Sequence, residues 1–124
     1  MNITNIARKL FFPSRQKFII SQYENDAEGL QQKVLQHLIE MGKQTEYGKN
    51  HLFNTTHNYE DFTKNVPVNT YEELKGYIDR MRHGDSNVLW PGKVKWFAKS
   101  SGTTNDKSKF IPVTNEGLHK IHYA

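Results

Sequence analysis

Residues 94–113 of this 124-residue chain read VKWFAKSSGTTNDKSKFIPV. Apolar, strand-forming residues stand at both ends of this segment, at Val94–Ala98 and Phe110–Val113, and a polar stretch with a single glycine separates them. Two such runs on either side of a polar loop predict an antiparallel β-hairpin with the loop at its tip. The first run has little alternation of apolar and polar residues, which is typical of a strand buried on both faces.

The residues just before the hairpin also favour extended structure. Asn87–Trp90 predicts a further short strand, and Pro91-Gly92 predicts the turn that follows it. Trp90 and Trp96 have two interpretations, either as core aromatics of a β-hairpin or as a surface on which nucleic-acid bases stack.

The chain upstream has the spacing of helices. Between Asp26 and Gly42 apolar residues recur every three or four positions, which predicts an amphipathic helix with Asp26 as its N-cap and Gly42 in the C′ position. The residues of this apolar stripe are Leu30, Val34, Leu38 and Met41. The next stretch, Thr45–Asn50, predicts a turn.

Three further helices are predicted by their boundary residues. A short one follows Asn58 and ends before Val66-Pro67, because proline forces the residue before it into an extended conformation. Thr70-Tyr71-Glu72-Glu73 has the form of a capping box and begins a helix that Gly84 ends. Thr114 is a suitable N-cap for the last helix.

Composition narrows the classes of function. Seventeen Lys and Arg against thirteen Asp and Glu give a net charge of +4, which favours anionic partners without choosing among phosphates, nucleic acid and acidic membranes. The absence of cysteine excludes a disulfide framework, a thiolate zinc site and a cysteine nucleophile. The apolar runs are far shorter than the ~20 residues of a membrane span, so no membrane partner is expected. An apolar fraction of 35% indicates a thin core, which we expect a partner or further sequence to complete.

The polar loop of the hairpin has the composition of a phosphate-binding loop. Such a loop needs accessible backbone N–H groups, small residues, hydroxyl donors and cations. Gly102 allows close approach, and the other contributors are Ser100, Ser101, Thr103 and Thr104 for hydroxyls and Lys99, Lys107 and Lys109 for charge. The loop matches neither the Walker A nor the dinucleotide-binding glycine pattern. On composition alone, a hydrophilic hairpin tip without a ligand is the plainer interpretation.

Residues 100–114, SSGTTNDKSKFIPVT, resemble the phosphate loop of adenylate-forming enzymes, the superfamily of acyl-CoA synthetases. More narrowly, they resemble the loop of the auxin-responsive acyl-acid amido synthetase family. Val66–Arg80 is similar to the stretch that this family has before the loop, and Thr45–Gly48 is similar to the end of its N-terminal helix. The resemblance covers roughly Asp26 to Thr114, and two motifs in the right order are more specific than either alone.

The resemblance implies a fold class and a domain. The chain is then an α+β fragment, with N-terminal helices plus a short antiparallel β-hairpin that carries the phosphate loop, inside a larger α/β adenylate-forming domain. Residues 1–124 form the N-terminal part of the large adenylation domain, and the missing C-terminal part of the same protein supplies the rest of that domain and a C-terminal domain. The chain alone is expected to be inactive and the protein to be cytoplasmic.

The resemblance also implies a reaction. A small carboxylic acid is activated by ATP as an acyl-adenylate, and an amine or amino acid then takes the acyl group. ATP and Mg²⁺ are the expected cofactors, and the expected cofactor-binding residues are Ser100, Ser101, Gly102, Thr103, Thr104 and Lys109. No residue is assigned as catalytic or as a metal ligand.

Two other functions remain open from the sequence. An acyl-CoA ligase of the same superfamily differs in its acceptor, which is coenzyme A. A non-enzymatic module would bind nucleic acid through the lysines of the hairpin region, but these follow neither an aromatic platform nor a helix face, so no nucleic-acid partner is expected; they are Lys93, Lys95, Lys99, Lys107 and Lys109. His119 and His122 have a spacing that can hold a metal, but without a third ligand nearby we interpret the pair as incidental.

Overall fold

The computed structural model of the protein describes residues 3–101 and 108–121. The elements found there follow one another as α1 (Ile3–Gly42), α2 (Glu46–Asn50), a 3-10 turn (Phe53–Thr55), α3 (Tyr59–Asn65), α4 (Tyr71–His83), β1 (Trp96–Lys99), β2 (Phe110–Val113) and α5 (Asn115–Ile121). The chain divides into two compact units, Met1–His37 and Leu38–Ala124. None of the helices within the described ranges carries an apolar stretch long enough to cross a bilayer.

In the first unit, helix α1 is interrupted at Asp26. This residue has φ −158° and ψ 63°, outside the helical region, and its carboxylate accepts a hydrogen bond from the Gly29 N–H at 2.9 Å. That bond satisfies one of the N–H groups that a helix leaves unpaired in its first turn. The predicted helix and its N-cap at Asp26 are therefore confirmed, although helical residues also precede the cap.

In the second unit, the end of α1 and helix α2 approach each other closely at two glycines. A Cβ atom on Gly48 would lie 2.0 Å from the Gly42 carbonyl oxygen, and one on Gly42 would lie 2.6 Å from the ring of Phe53. Gly42 has no left-handed φ and is the last residue of α1, so its predicted C′ role is wrong. A side chain is excluded there by the buried Phe53 ring. Leu38 of the predicted stripe is exposed, whereas the neighbouring Ile39 is buried.

The predicted turn at Thr45–Asn50 is wrong, because Thr45 caps a short helix, α2. Its buried hydroxyl donates to the Gly42 carbonyl at 2.7 Å and accepts from the Gly48 N–H at 2.9 Å. The predictions for the next helices are confirmed by the same kind of contact. Asn58 accepts from the Asp61 N–H at the start of α3, which ends at Asn65.

Helix α4 has the predicted capping box and the predicted end. The Thr70 N–H donates to the Glu73 carboxylate at 2.6 Å, and the Glu73 N–H donates to the Thr70 hydroxyl at 3.4 Å. The hydrogen bonds that the Thr70 N–H and the Thr70 hydroxyl donate to the carboxylate lower the pKa of the Glu73 carboxyl. Gly84 follows α4 with φ 108°, a left-handed conformation that glycine adopts without strain.

The predicted strand at Asn87–Trp90 is wrong, because these residues form a closed loop. Asn87 has a left-handed φ of 58°, its N–H donates to the Gly92 carbonyl at 3.0 Å, and its side-chain oxygen accepts from the Gly92 N–H at 2.7 Å. The carbonyls of Asn87 and Val88 accept the N–H groups of Glu46 and Tyr47, at 2.8 and 3.1 Å. The loop therefore satisfies the first turn of α2 instead of pairing with a strand.

The main buried cluster lies between this loop and α4. Met81, Val88 and Val94 form its centre, and the partly buried side chains around them are Tyr77, Leu89, Trp90 and Phe97. Trp90 thus packs against the core, although it lies outside the hairpin. The contact of this cluster with Phe97 places the hairpin beside α4.

The predicted hairpin is confirmed as an antiparallel pair of β1 and β2, with Trp96 opposite Val113 and Lys99 opposite Phe110. The predicted burial of both faces is wrong, because Trp96 is 62% exposed and Phe97 is the one residue of β1 that is partly buried. Within the part of the chain that the structure describes, Trp96 is therefore not buried in a core. Its neighbours on the same face are Ala98, Ile111 and Val113, since cross-strand partners and alternate residues share a face. After β2, Thr114 caps α5 as predicted by accepting from the Gly117 N–H.

Arg80 links α2 to the end of α4. Its guanidinium bonds the carboxylate of Glu46 at 2.8 Å and that of Asp85 at 2.9 Å. The hydrogen bond from Arg80 holds the pKa of the Glu46 carboxyl below its ordinary value. All three side chains are accessible to solvent, so the pairs orient α2 more than they stabilise it.

We expect Gly48→Ala to lower the free energy of unfolding by about 2 kcal/mol or more, because the new methyl group would overlap a backbone oxygen that cannot rotate away. Gly76→Ala is the matched control. It lies inside α4 with open space around it and should raise the stability by about 0.5–1 kcal/mol. Urea denaturation of both variants tests the pair, and equal midpoints would contradict the close approach of α1 and α2.

We expect the chain to lose stability as the pH falls below about 4.5, the ordinary pKa of Glu46. A carboxyl whose pKa is lowered by folding stabilises the native state above its unfolded pKa, and this contribution is lost as the pH falls through the folded pKa. Arg80→Gln should make this acid limb slightly shallower without removing it, because the pKa values of Glu73 and Asp79 are also lowered, whereas Lys49→Gln, which removes an exposed cation of α2, should leave it unchanged. Thermal melting between pH 3 and pH 7 measures the difference, and parallel curves for the Arg80 variant and the unchanged chain would rule out the role of Arg80.

Candidate functional site

Strand pairing brings together two of the residues that the sequence assigns to phosphate binding. The Ser100 N–H donates to the Lys109 carbonyl at 2.9 Å, and the Lys109 N–H donates to the Ser100 hydroxyl oxygen at 3.0 Å. These two bonds extend the β1–β2 ladder by one step and close the base of the loop. We call Ser100 and Lys109 the hairpin neck.

The neck retains groups that an anion can use. A hydroxyl has one hydrogen to donate as well as lone pairs, so Ser100 can still donate while it accepts from Lys109. Ser101 follows it and is exposed. Of the remaining predicted residues, Gly102, Thr103 and Thr104 lie outside the described residues, as does Lys107.

Helix α4 holds the C-terminal side of the neck through Phe110. The Tyr71 hydroxyl accepts the Phe110 N–H at 2.9 Å, and the guanidinium carbon of Arg82 lies 3.6 Å from the centre of the Phe110 ring. The Lys109 ammonium lies 5.7 Å from the centre of the Tyr71 ring, within the range of a cation–π interaction. Helix α4 thus contacts Lys109 of the neck through the Tyr71 ring. It contacts the adjoining Phe110 through a hydrogen bond to the Tyr71 hydroxyl and through the Arg82 guanidinium.

Sequence reasoning missed Tyr71 and Arg82. The signal that was available is their separation of eleven residues, about three turns of an α-helix, which places both on one face of α4. That face also carries Leu74 and Ile78, a pattern that is typical of a surface facing the core. The sequence contains nothing that pairs this face with Phe110, because the contact depends on how the hairpin packs.

The charge around the neck is predominantly positive. Lys109 is part of it, Arg82 contacts the adjoining Phe110, and Lys99 is exposed at the end of β1. Asp79, the carboxylate of α4 that contacts Arg82, is also paired with Lys75, and its pKa is lowered by the hydrogen bond from Lys75. The arrangement therefore suits a ligand that carries several negative charges.

A small cleft of about 130 Å³ lies near the other end of the hairpin, between the loop after α4 and the start of α5. Its lining includes Trp90, Lys93, Lys95 and Glu116. Sites for nucleotide-sized ligands are usually about 300–1,000 Å³, so this cleft is too small to hold a nucleoside. Among the described residues no three His, Asp or Glu side chains lie close enough together to hold a metal; His119 is exposed, and His122 lies outside those residues.

Comparison with known proteins identifies relatives of the whole region. Residues 17–124 match the GH3 family N-terminal domain. The chain is 35% identical over 114 residues to the indole-3-acetic acid-amido synthetase GH3.15 of Arabidopsis thaliana, a match that covers 89% of this chain and 19% of the relative. It is 32% identical over 105 residues to the jasmonoyl–L-amino acid synthetase JAR6 of Nicotiana attenuata, which covers 82% of this chain and 18% of the relative.

A solved structure has the same fold. The structure of the AtGH3.15 acyl acid amido synthetase in complex with 2,4-DB superposes with a TM-score of 0.73 at 34% identity, over 87% of this chain and 20% of that one. The chain therefore spans about a fifth of the length of the relatives it matches. The match extends from the last part of the first unit through the hairpin and into α5. The chain belongs to the GH3 family, whose N-terminal domain its residues 17–124 match, and it covers only a fragment of the amido synthetases that it resembles.

Proposed function

We propose that this chain is the N-terminal part of the large adenylation domain of an ATP-dependent acyl-acid amido synthetase, and that its hairpin binds the phosphates of ATP. The observation that carries the proposal is the pairing of Ser100 with the backbone of Lys109 at the hairpin neck, which puts a hydroxyl-bearing residue opposite a lysine at the base of a hydroxyl-rich segment. Membership of a family whose named members are amido synthetases supports the same function.

Each predicted residue has a role in this proposal. Ser100, Ser101, Thr103 and Thr104 donate hydrogen bonds to phosphate oxygens, Gly102 lets the backbone approach, and Lys109 supplies charge. Such contacts act by positioning and by electrostatic stabilisation, which are the main contributions in phosphoryl chemistry. Mg²⁺ takes phosphate oxygens and water as most of its ligands in sites of this kind, and hydroxyl oxygens would be compatible with it. The Lys109 ammonium has no lone pair, so it would contact phosphate and not the metal. When bound, Mg²⁺ would neutralise phosphate charge.

The proposed reaction has two steps. In the first, a carboxylate oxygen of the acid bonds to the α-phosphorus of ATP, the bond from that phosphorus to the bridging oxygen breaks, and pyrophosphate leaves. In the second, the nitrogen of an amine or amino acid bonds to the acyl carbon and loses a proton, and AMP leaves. The chain's own contribution is to hold the phosphates, and no catalytic residue is assigned to it.

One face of the hairpin is apolar and exposed, which supports the proposal of a longer protein. Trp96 and Ile111 on this face are 62% and 55% exposed, and the large buried side chains of the second unit lie elsewhere. A two-stranded hairpin has little stability unless its apolar face is covered. We propose that the missing C-terminal part of the same protein packs on this face and supplies the groups that bind adenine, ribose and the acyl chain.

The nucleic-acid alternative receives less support. Exposed Trp96 stands between Lys95 and Lys99 in the sequence, but its neighbours on the sheet face are aliphatic, whereas single-strand binding surfaces stack successive bases on several aromatic rings. The relatives are named as amido synthetases, and their names mention no nucleic acid. An acyl-CoA ligase remains the second candidate, and the choice of acceptor separates it from the first.

We expect the complete polypeptide that carries this sequence to catalyse ATP–pyrophosphate exchange that depends on a carboxylic acid. Gly102→Val and Thr103→Val should each reduce the exchange rate by about 100-fold or more, because they remove close approach and a hydroxyl donor from the phosphate site. Thr63→Val is the control, since Thr63 is an exposed hydroxyl of α3 that bonds within its own helix.

Two results of this assay would contradict the proposal. One is the absence of exchange with any carboxylic acid of a broad panel, and the other is full exchange in both loop variants. The acceptor is tested in the same preparation. We expect an amino acid to yield an amide, whereas thioester formation with coenzyme A and no amide would assign the protein to the acyl-CoA ligases.

We expect Trp96 to be shielded in the complete polypeptide and accessible in the 124-residue chain. Hydroxyl-radical footprinting read out by mass spectrometry measures the oxidation of Trp96 separately from every other residue in both proteins. Trp90 is the internal control, because it packs against the core of the chain itself and should be oxidised equally in both proteins. Equal oxidation of Trp96 in the two proteins would exclude a partner segment on the sheet face.

A further inference from the structure

The Phe110 N–H donates to a side chain of helix α4. In a two-stranded antiparallel sheet, alternate N–H groups of a strand point away from the partner strand. Phe110 is paired with Lys99 in register, yet its N–H donates to the Tyr71 hydroxyl at 2.9 Å. The tyrosine thus occupies the place that a further strand would take, at the residue directly after Lys109.

Tyr71 is rigidly held at this point. It is the first residue of α4 and follows the Thr70 cap, whose reciprocal bonds with Glu73 fix the start of the helix. Its ring is the surface over which the Lys109 ammonium lies, 5.7 Å from the ring centre. One side chain therefore contacts both the backbone beyond the neck and the cation of the neck.

Arg82 holds the same residue from the other end of α4. Its guanidinium stacks on the Phe110 ring at 3.6 Å, while its own position is fixed by Asp79, 3.3 Å away. Phe110 is therefore held by its backbone at Tyr71 and by its ring at Arg82. Rotation or sliding of the hairpin neck along α4 would break at least one of these contacts.

We propose that Tyr71 is a positioning residue for ATP binding, which sets the place of Lys109 and Ser100 at the hairpin neck through the Phe110 N–H. This inference rests on the proposed phosphate-binding function of the hairpin and adds a residue that touches no phosphate itself. The side chain is only partly buried and lies outside the cluster of Met81, Val88 and Val94. Removing its hydroxyl therefore leaves the core and the ring contact with Lys109 in place.

The test is Tyr71→Phe in the complete polypeptide, measured by acid-dependent ATP–pyrophosphate exchange. Loss of one neutral hydrogen bond corresponds to about a 5-fold change in an equilibrium constant. We expect the KM for ATP to rise by about 5-fold, with kcat and the KM for the carboxylic acid little changed. Calorimetric titration with Mg·ATP should show the same loss of affinity. Tyr59→Phe, an exposed tyrosine of α3, is the matched control and should change neither quantity.

The readouts separate positioning from a purely structural role. If Tyr71 only stabilised the fold, the variant would have a lower melting temperature and a smaller active fraction, which lowers the apparent kcat and leaves both KM values unchanged. If the unchanged protein is active and Tyr71→Phe gives that result, the inference is overturned while the proposed function stands. If the unchanged protein neither binds Mg·ATP nor catalyses exchange, the proposed function is overturned and the inference with it.

The contact itself is tested by amide hydrogen exchange without a ligand. The Phe110 amide should exchange at least about 5-fold faster in Tyr71→Phe than in the unchanged protein, because its acceptor is gone. The amide of Ser100, which donates to Lys109, serves as the internal reference. Equal exchange rates at Phe110 in the two proteins would overturn the inference at its first step.

Discussion

The pairing of β1 with β2 is the constraint on which the candidate site depends. Ser100 and Lys109 are nine positions apart in the sequence, and the antiparallel register carries them to hydrogen-bonding distance at the base of one loop. Without this pairing, Ser100 and Lys109 would have no fixed separation. Helix α4 then fixes where the pair lies, since Tyr71 and Arg82 both act on Phe110, the residue that follows the neck.

The features that sequence reasoning predicted correctly are local ones. The caps at Asp26, Asn58, Thr70 and Thr114 each depend on a side chain and an N–H three residues later, so their spacing in the sequence is sufficient. The hairpin was predictable for a similar reason, because its two apolar runs and polar loop are contiguous. The phosphate-loop assignment required more, since composition alone favoured a tip without a ligand and the resemblance to a family supplied the function.

The errors arose where a distant contact overrides the local pattern. Asn87–Trp90 has strand-forming residues, but a left-handed Asn87 and the N–H groups of Glu46 and Tyr47 turn it into a loop. Thr45 caps helix α2, which no periodicity of apolar residues predicts, because the helix has only five residues. Trp96 belongs to a strand for which burial of both faces was predicted, whereas its sheet face is uncovered within the described chain. Tyr71 and Arg82 were missed because Phe110 reaches them only through the packing of the hairpin on α4.

The central claim is that the hairpin neck binds the phosphates of ATP, and amide hydrogen exchange in the complete polypeptide tests it most directly. On addition of saturating Mg·ATP, we expect exchange to slow at Ser100, Ser101 and Lys109, because a ligand bound at the neck opposes opening of the Ser100–Lys109 hydrogen bonds and covers the residue that follows them. The amide of Asn87, whose loop serves α2, should be unaffected. Unchanged exchange at all three residues in the presence of bound Mg·ATP would contradict the account.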